Sequence, residues 1–178
     1  MYTCACNIFG CIQVASSLGA LVLFRALLVL ADSDKPVEPL IDSVILISLP
    51  QVVSPREWAK VRKVTTVVSL LDAHFNLYVE VVGRRIVNAY SSRDFVLAGV
   101  GRLHEVVSGA GFGGMAGLNA VEMHGVEDID VSELVGGKQT TQRRQAVSSI
   151  ELMVSISAGH FDINANMEKV LQTVRVNE

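Results

Sequence analysis

The segment that most constrains the fold is Ala15-Ser16-Ser17-Leu18-Gly19, because it joins two different apolar patterns. Before it, Asn7 to Val14 is a short, mostly apolar run containing Gly10 and lacking helical spacing, which predicts a buried strand. After it, Leu18 to Ala31 has the apolar density of a buried helix, stopped by Asp32-Ser33-Asp34-Lys35-Pro36. A serine at such a strand-to-helix turn is held in a strained backbone conformation. The residues two before and two after it must be small, so that strand and helix can approach each other. Small-x-Ser-x-Gly over residues 15–19 meets that demand, with alanine as the first small residue. It predicts a nucleophile elbow. The Ser17 Oγ then projects beyond the strand end near the positive helix N-terminus, and the Leu18 N–H offers one oxyanion donor.

The same alternation continues along the chain. Ser43 to Leu49 is a continuous apolar run closed by Pro50, as expected of a strand covered on both faces. Ser54 fits a helix N-cap and Pro55 the first helical position, with the helix running through Trp58 to about Lys63. Arg85 to Tyr90 is strand-like and gives way to the polar turn Ser91-Ser92-Arg93-Asp94. Val126 to Val131 alternates apolar with acidic residues, as an edge strand does, and Met167 to Val176 predicts a short final helix. Strands alternating with helices imply an α/β domain, a mostly parallel sheet with helices on both faces. Gly109 to Gly117 reads as a flexible loop. It completes no phosphate-binding pattern, since the Lys-Ser/Thr ending is missing.

Composition narrows the function classes. At 178 residues, with 50% hydrophobic and 19% charged, the chain is long and apolar enough for one domain with a core. Fifteen Lys plus Arg against 18 Asp plus Glu, a net charge of -3, leaves no footprint for nucleic acid, and Arg143-Arg144 is too short for a basic patch. No metal or other cofactor is expected. Cys4, Cys6 and Cys11 lack a fourth ligand or a nearby histidine, and their odd number favours reduced intracellular thiols over a disulfide. Leu18 to Ala31 carries Arg25 and falls short of the ~20 residues that span a bilayer. Nor does Met1 to Phe24 hold the Lys or Arg that would open a secretory signal.

An elbow serine calls for an acid after a later strand and a histidine later still. Asp94 stands four residues after the strand ending at Tyr90, whereas Asp72 follows no clear strand. Asp94 fits equally well as the cap of a helix beginning at Phe95. Of the four histidines, His74 and His104 precede or crowd the acid, while His124 and His160 follow it. His160, in the turn Ala158-Gly159-His160-Phe161 before the final helix, is the better base.

These residues resemble a known family, the hydrolase-like domain of transmembrane and coiled-coil domain proteins, whose function is uncharacterised and which is suspected of lipase or esterase activity. The resemblance runs through Ser17 to Ala20, Asp42 to Ile47, Trp58, Gly83 to Ser91, Asp94, Ala116 to Leu118, Val126 to Ser132 and Gly159-His160. It implies an α/β-hydrolase fold with Ser17 as nucleophile, Asp94 as acid and His160 as base, acting on an ester or lipid-like substrate. It further implies a partial domain over residues 1–178 that lacks the family's strands before the elbow. Two segments, about 65–80 and 137–158, interrupt the family pattern, either as loop insertions or as translated unspliced sequence. Family members carry membrane-spanning segments ahead of this domain, so membrane association is expected to come from there. A sheet cut before its elbow strand also predicts an exposed apolar edge and self-association, and a catalytically inactive fragment with an interaction role is the alternative to an enzyme.

Overall fold

The computed structural model describes residues 2–7, 10–32, 41–62, 64–70, 73–79, 82–99, 101, 114–134, 160 and 162–176. The main sheet contains β1 (Tyr2–Asn7), β2 (Gly10–Ser16), β3 (Ile41–Ile47), β6 (Val82–Tyr90) and β7 (Glu127–Asp130), in the order β1-β2-β3-β6-β7. From β2 to β7 every neighbouring pair is parallel. Helices α1 (Leu18–Ala31), α2 (Pro55–Arg62) and α3 (Met167–Thr173) complete the α/β architecture expected from the alternating pattern. None of the described helices is long and apolar enough to cross a membrane.

The period of two along β3 divides the core into two layers. Val44 and Leu46 pack with Phe24 and Leu27 of α1 and Trp58 and Val61 of α2. Their neighbours Ile45 and Ile47 join Val87 and Ala89 of β6 and, from the other side, Val170 of α3 with Ile163 and Val174. Successive side chains of a strand point to opposite faces, so a run apolar at every position is buried only where both faces are covered. Each fully buried aliphatic side chain of this kind contributes roughly 1.5–3 kcal/mol.

Helix α2 begins as its sequence predicts. The Glu57 N–H donates to Ser54 Oγ at 3.3 Å while the Ser54 N–H donates to Glu57 Oε2 at 2.9 Å, a reciprocal capping box. Beyond the helix, the expected insertion at 65–80 forms a hairpin of its own, β4 (Val64–Leu70) against antiparallel β5 (Ala73–Val79). It makes a separate two-stranded sheet and leaves β6 free to pair with β3. The second interruption, 137–158, lies outside the described residues, as do Arg143 and Arg144.

Three expectations at the chain start and in the glycine-rich segment are corrected. Asn7 to Val14 is not a single strand: β1 ends at Asn7, and β2 begins at Gly10 and runs back antiparallel to it. Strand β2, which leads into Ser17, is consequently flanked on both sides, and β1 and β7 are the outer strands of the described sheet. Cys11 is disulfide-bonded rather than a free thiol, and the hairpin register sets Cys6 directly opposite it. The end of the glycine-rich segment is docked, since Met115 bridges Val52 and the Gly117 N–H donates to the Leu49 carbonyl at 3.0 Å.

Candidate active site

The parallel ladder continues for one residue past several strand ends. The Ser17 N–H donates to the Ile47 carbonyl at 2.9 Å, the Ser48 N–H to Ala89 at 3.0 Å and the Val131 N–H to Tyr90 at 2.9 Å. These residues line the carboxyl edge of the sheet, the edge at which open α/β sheets place their ligands. Ser17 turns there from β2 into α1 with φ 54° and ψ -128°. Such a conformation costs a non-glycine residue on the order of 1–3 kcal/mol. Buried Ala15 lies two residues before it, so no bulky side chain stands between strand and helix. The strain lifts Ser17 Oγ clear of its own helix, where it caps no N–H.

Asp94 reaches the same edge from β6 by way of the turn at 91–93. The Ser91 carbonyl accepts the Asp94 N–H at 3.2 Å, and Ser91 Oγ accepts the Arg93 N–H at 3.2 Å. From the turn just after β7, Ser132 Oγ accepts the Ser92 N–H at 3.0 Å, and Asp130 Oδ1 fixes Ser132 through its N–H at 2.8 Å. The carboxylate of Asp94 is fully buried. Its Oδ1 accepts the Leu97 N–H at 2.9 Å, capping the helical stretch at 95–99, and its Oδ2 lies 2.7 Å from His160 Nδ1. Helix cap and histidine partner, two alternatives from local pattern, are combined in one carboxylate.

His160 Nε2 lies 2.9 Å from Ser17 Oγ. A carboxylate can only accept, so the proton sits on Nδ1 of the neutral ring and Nε2 is left as the acceptor for the serine hydroxyl. The hydrogen bond to Asp94 raises the His160 pKa above 6.5, burial of the ring opposes the rise, and the negative charge of Asp94 adds to it. A raised histidine pKa favours the protonated form in the folded chain. Its contribution to stability is therefore complete below 6.5 and is lost as pH rises through the folded value.

Leu18 is the first residue of α1, and its N–H has no carbonyl a turn behind it to satisfy it. Chain order thus selected Ser17, Asp94 and His160, and the structure brings their side chains into one hydrogen-bonded line. Of the other histidines, His124 is exposed in a turn, His74 is on β5, and His104 lies outside the described residues, as does Asp72. The supports Ser91, Ser132 and Asp128 were not singled out from sequence as parts of a site. Asp128 collects the Val121 and Glu122 N–H groups at 2.9 and 2.8 Å and Asn88 Nδ2 at 2.8 Å, fixing the loop ahead of β7. An acidic residue alternating along an edge strand carries no sign of that task.

Residues 10–71 and 68–156 match the family described as "Protein of unknown function (DUF726)". The rice (Oryza sativa subsp. japonica) transmembrane and coiled-coil domain-containing protein STS1 is 31% identical over 141 residues, which is 78% of this chain and 18% of that protein. The chain thus spans under a fifth of the length of this relative. No solved structure matches. With the two matched segments together covering residues 10–156, the chain belongs to the DUF726 family and is related to a transmembrane and coiled-coil domain-containing protein.

Proposed function

We propose that this chain is a serine hydrolase of the esterase or lipase kind. The observation that carries the reading is the unbroken line from Ser17 Oγ through His160 to the buried Asp94 carboxylate, 2.9 and 2.7 Å long at its two links. In the reaction Ser17 Oγ attacks the ester carbonyl while His160 Nε2 takes its proton. The imidazolium formed is held by Asp94 and returns the proton to the leaving alcohol. Water, activated by the same histidine, then releases the acid and restores the serine. The Leu18 N–H, at the positive end of α1, stabilises the oxyanion.

Two of the exposed large apolar side chains directly follow members of this line, Leu18 (70% exposed) after Ser17 and Phe95 (51% exposed) after Asp94. An apolar acyl group is the substrate portion that suits such a rim, because burying it there removes both surfaces from water.

Labelling with a fluorophosphonate probe tests the reading. The chain is expected to label at Ser17, with Ser17→Ala abolishing the label. The labelling rate is expected to rise with pH along a curve centred above 6.5, because only neutral His160 can accept the proton. In the same assay p-nitrophenyl octanoate should be cleaved faster than the acetate. Failure of the chain to label while it retains its far-UV circular dichroism would sink the hydrolase reading in favour of a non-catalytic interaction domain.

A further inference from the structure

We infer that Gly117 is a positioning residue for Asp94, a spacer whose missing side chain lets three segments close around the acid. Gly117 has an unstrained φ, so its role is one of space and not of backbone freedom. A Cβ built there would lie 2.5 Å from Leu97 Cδ2, 2.5 Å from the Ser48 carbonyl carbon and 2.6 Å from the Leu49 nitrogen. The first of these is the end of a flexible side chain and can give way. The other two are backbone at the end of β3, where Ser48 itself turns with φ 51° and is 1% exposed.

Two of the routes by which the strain could relax lead to Asp94. The Gly117 carbonyl accepts the Ser91 N–H at 3.0 Å, and the Ser91 carbonyl in turn accepts the Asp94 N–H. Leu97, pressed from the other side, donates the N–H that fixes Asp94 Oδ1. Gly117 is also tied to the sheet, through its own N–H to the Leu49 carbonyl. A methyl group at 117 therefore either pushes the 91–94 turn away from β3 or tilts the first turn of the helix capped by Asp94. Both movements displace a carboxylate whose Oδ2 must stay within 2.7 Å of His160 Nδ1.

The inference rests on the pairing of Asp94 with His160, and its test separates that pairing from hydrolase activity. The His160 imidazole is titrated by NMR in the intact chain, with its signals assigned by their loss in His160→Gln. The fluorophosphonate labelling rate is measured in parallel. In Gly117→Ala the His160 pKa is expected to fall towards 6.5 and labelling to slow on the order of 10- to 100-fold, as for a misplacement of about 1 Å. A merely destabilised chain would lose signal amplitude and keep the same titration midpoint. An unchanged His160 titration with labelling within about twofold of the parent overturns the inference, twofold being small beside the effect of a 1 Å misplacement. Should Gly117→Ala fail to fold, the double variant Gly117→Ala/Leu97→Ala decides, since it clears the Cδ2 that the new methyl group would meet, leaves the clash with the backbone at 48–49 and keeps the Leu97 backbone donor. A lowered His160 pKa supports the inference and an unchanged one overturns it. If the parent chain titrates as described but does not label, the hydrolase reading falls and the positioning role is still decided by the NMR measurement.

Discussion

The Asp94→Asn variant is expected to label about 10⁴-fold more slowly than the parent while melting as a folded protein. The two side chains have the same shape, so an asparagine carbonyl oxygen can take over the Leu97 N–H that Asp94 Oδ1 now accepts at 2.9 Å. The helix cap survives. Its amide nitrogen is then turned towards His160 Nδ1, where a donor replaces an acceptor. The imidazole must answer by carrying its proton on Nε2, the nitrogen 2.9 Å from Ser17 Oγ. A protonated Nε2 cannot accept the serine proton, and the imidazolium that would follow has lost its counter-charge. The check is the second-order labelling rate beside a thermal melt. A rate within tenfold of the parent, with the fold intact, would mean that Asp94 serves only as a cap.

The largest loss of stability is expected from Trp58→Ala, about 3–5 kcal/mol. Trp58 is 1% exposed on α2 and meets Phe24 of α1 edge to face, with ring centroids 4.8 Å apart at 63°. Removing it opens a cavity between the two helices that cover one face of the sheet, and α1 is the helix that starts at Ser17. Against a typical total stability of about 5–15 kcal/mol, a loss of this size leaves a substantial unfolded fraction. Trp58→Phe should cost much less. It keeps most of the ring area and deletes the indole Nε1–H, which is buried without a hydrogen-bond partner among the described residues. Urea denaturation followed by circular dichroism measures both variants; fluorescence would not, because Trp58 is the single tryptophan of the chain. Similar midpoints for Trp58→Ala and the parent would show that the α1–α2 contact does not support the core.

The legible parts of this fold are those in which one local pattern has one physical outcome. The run at 44–47 is apolar at every position because both of its faces are covered, and the Ser54–Glu57 pair marks a helix start through its own reciprocal bonds. Gly10 was harder to place. Inside an apolar run it looks like a tolerated strand residue, and only the antiparallel register of Tyr2 with Ala15 shows that the chain reverses before it. The β4–β5 hairpin stands in the sequence only as an interruption of the family pattern between Trp58 and Gly83; that its strands pair with each other and not with the main sheet is visible in the structure alone. Among the site residues, Ser17 announces itself through its small neighbours. Asp94 and His160 were picked by chain order, yet the 2.7 Å between them depends on how residues 66 positions apart meet. Gly117 and Ser132 were visible only as matches to a family pattern, for nothing in a glycine or a serine tells which distant segment will press against it.

The double use of Asp94 bears on how activity should be traced through the family. A carboxylate that caps a helix from a fully buried position is retained for stability whether or not any chemistry takes place beside it. Its persistence in a relative is weak testimony. Position 17 behaves in the opposite way, because a φ of 54° there penalises serine and favours glycine. In a relative without the proposed chemistry, drift would relax that residue first. Relatives that keep the strained hydroxyl are therefore those in which something other than folding still demands it.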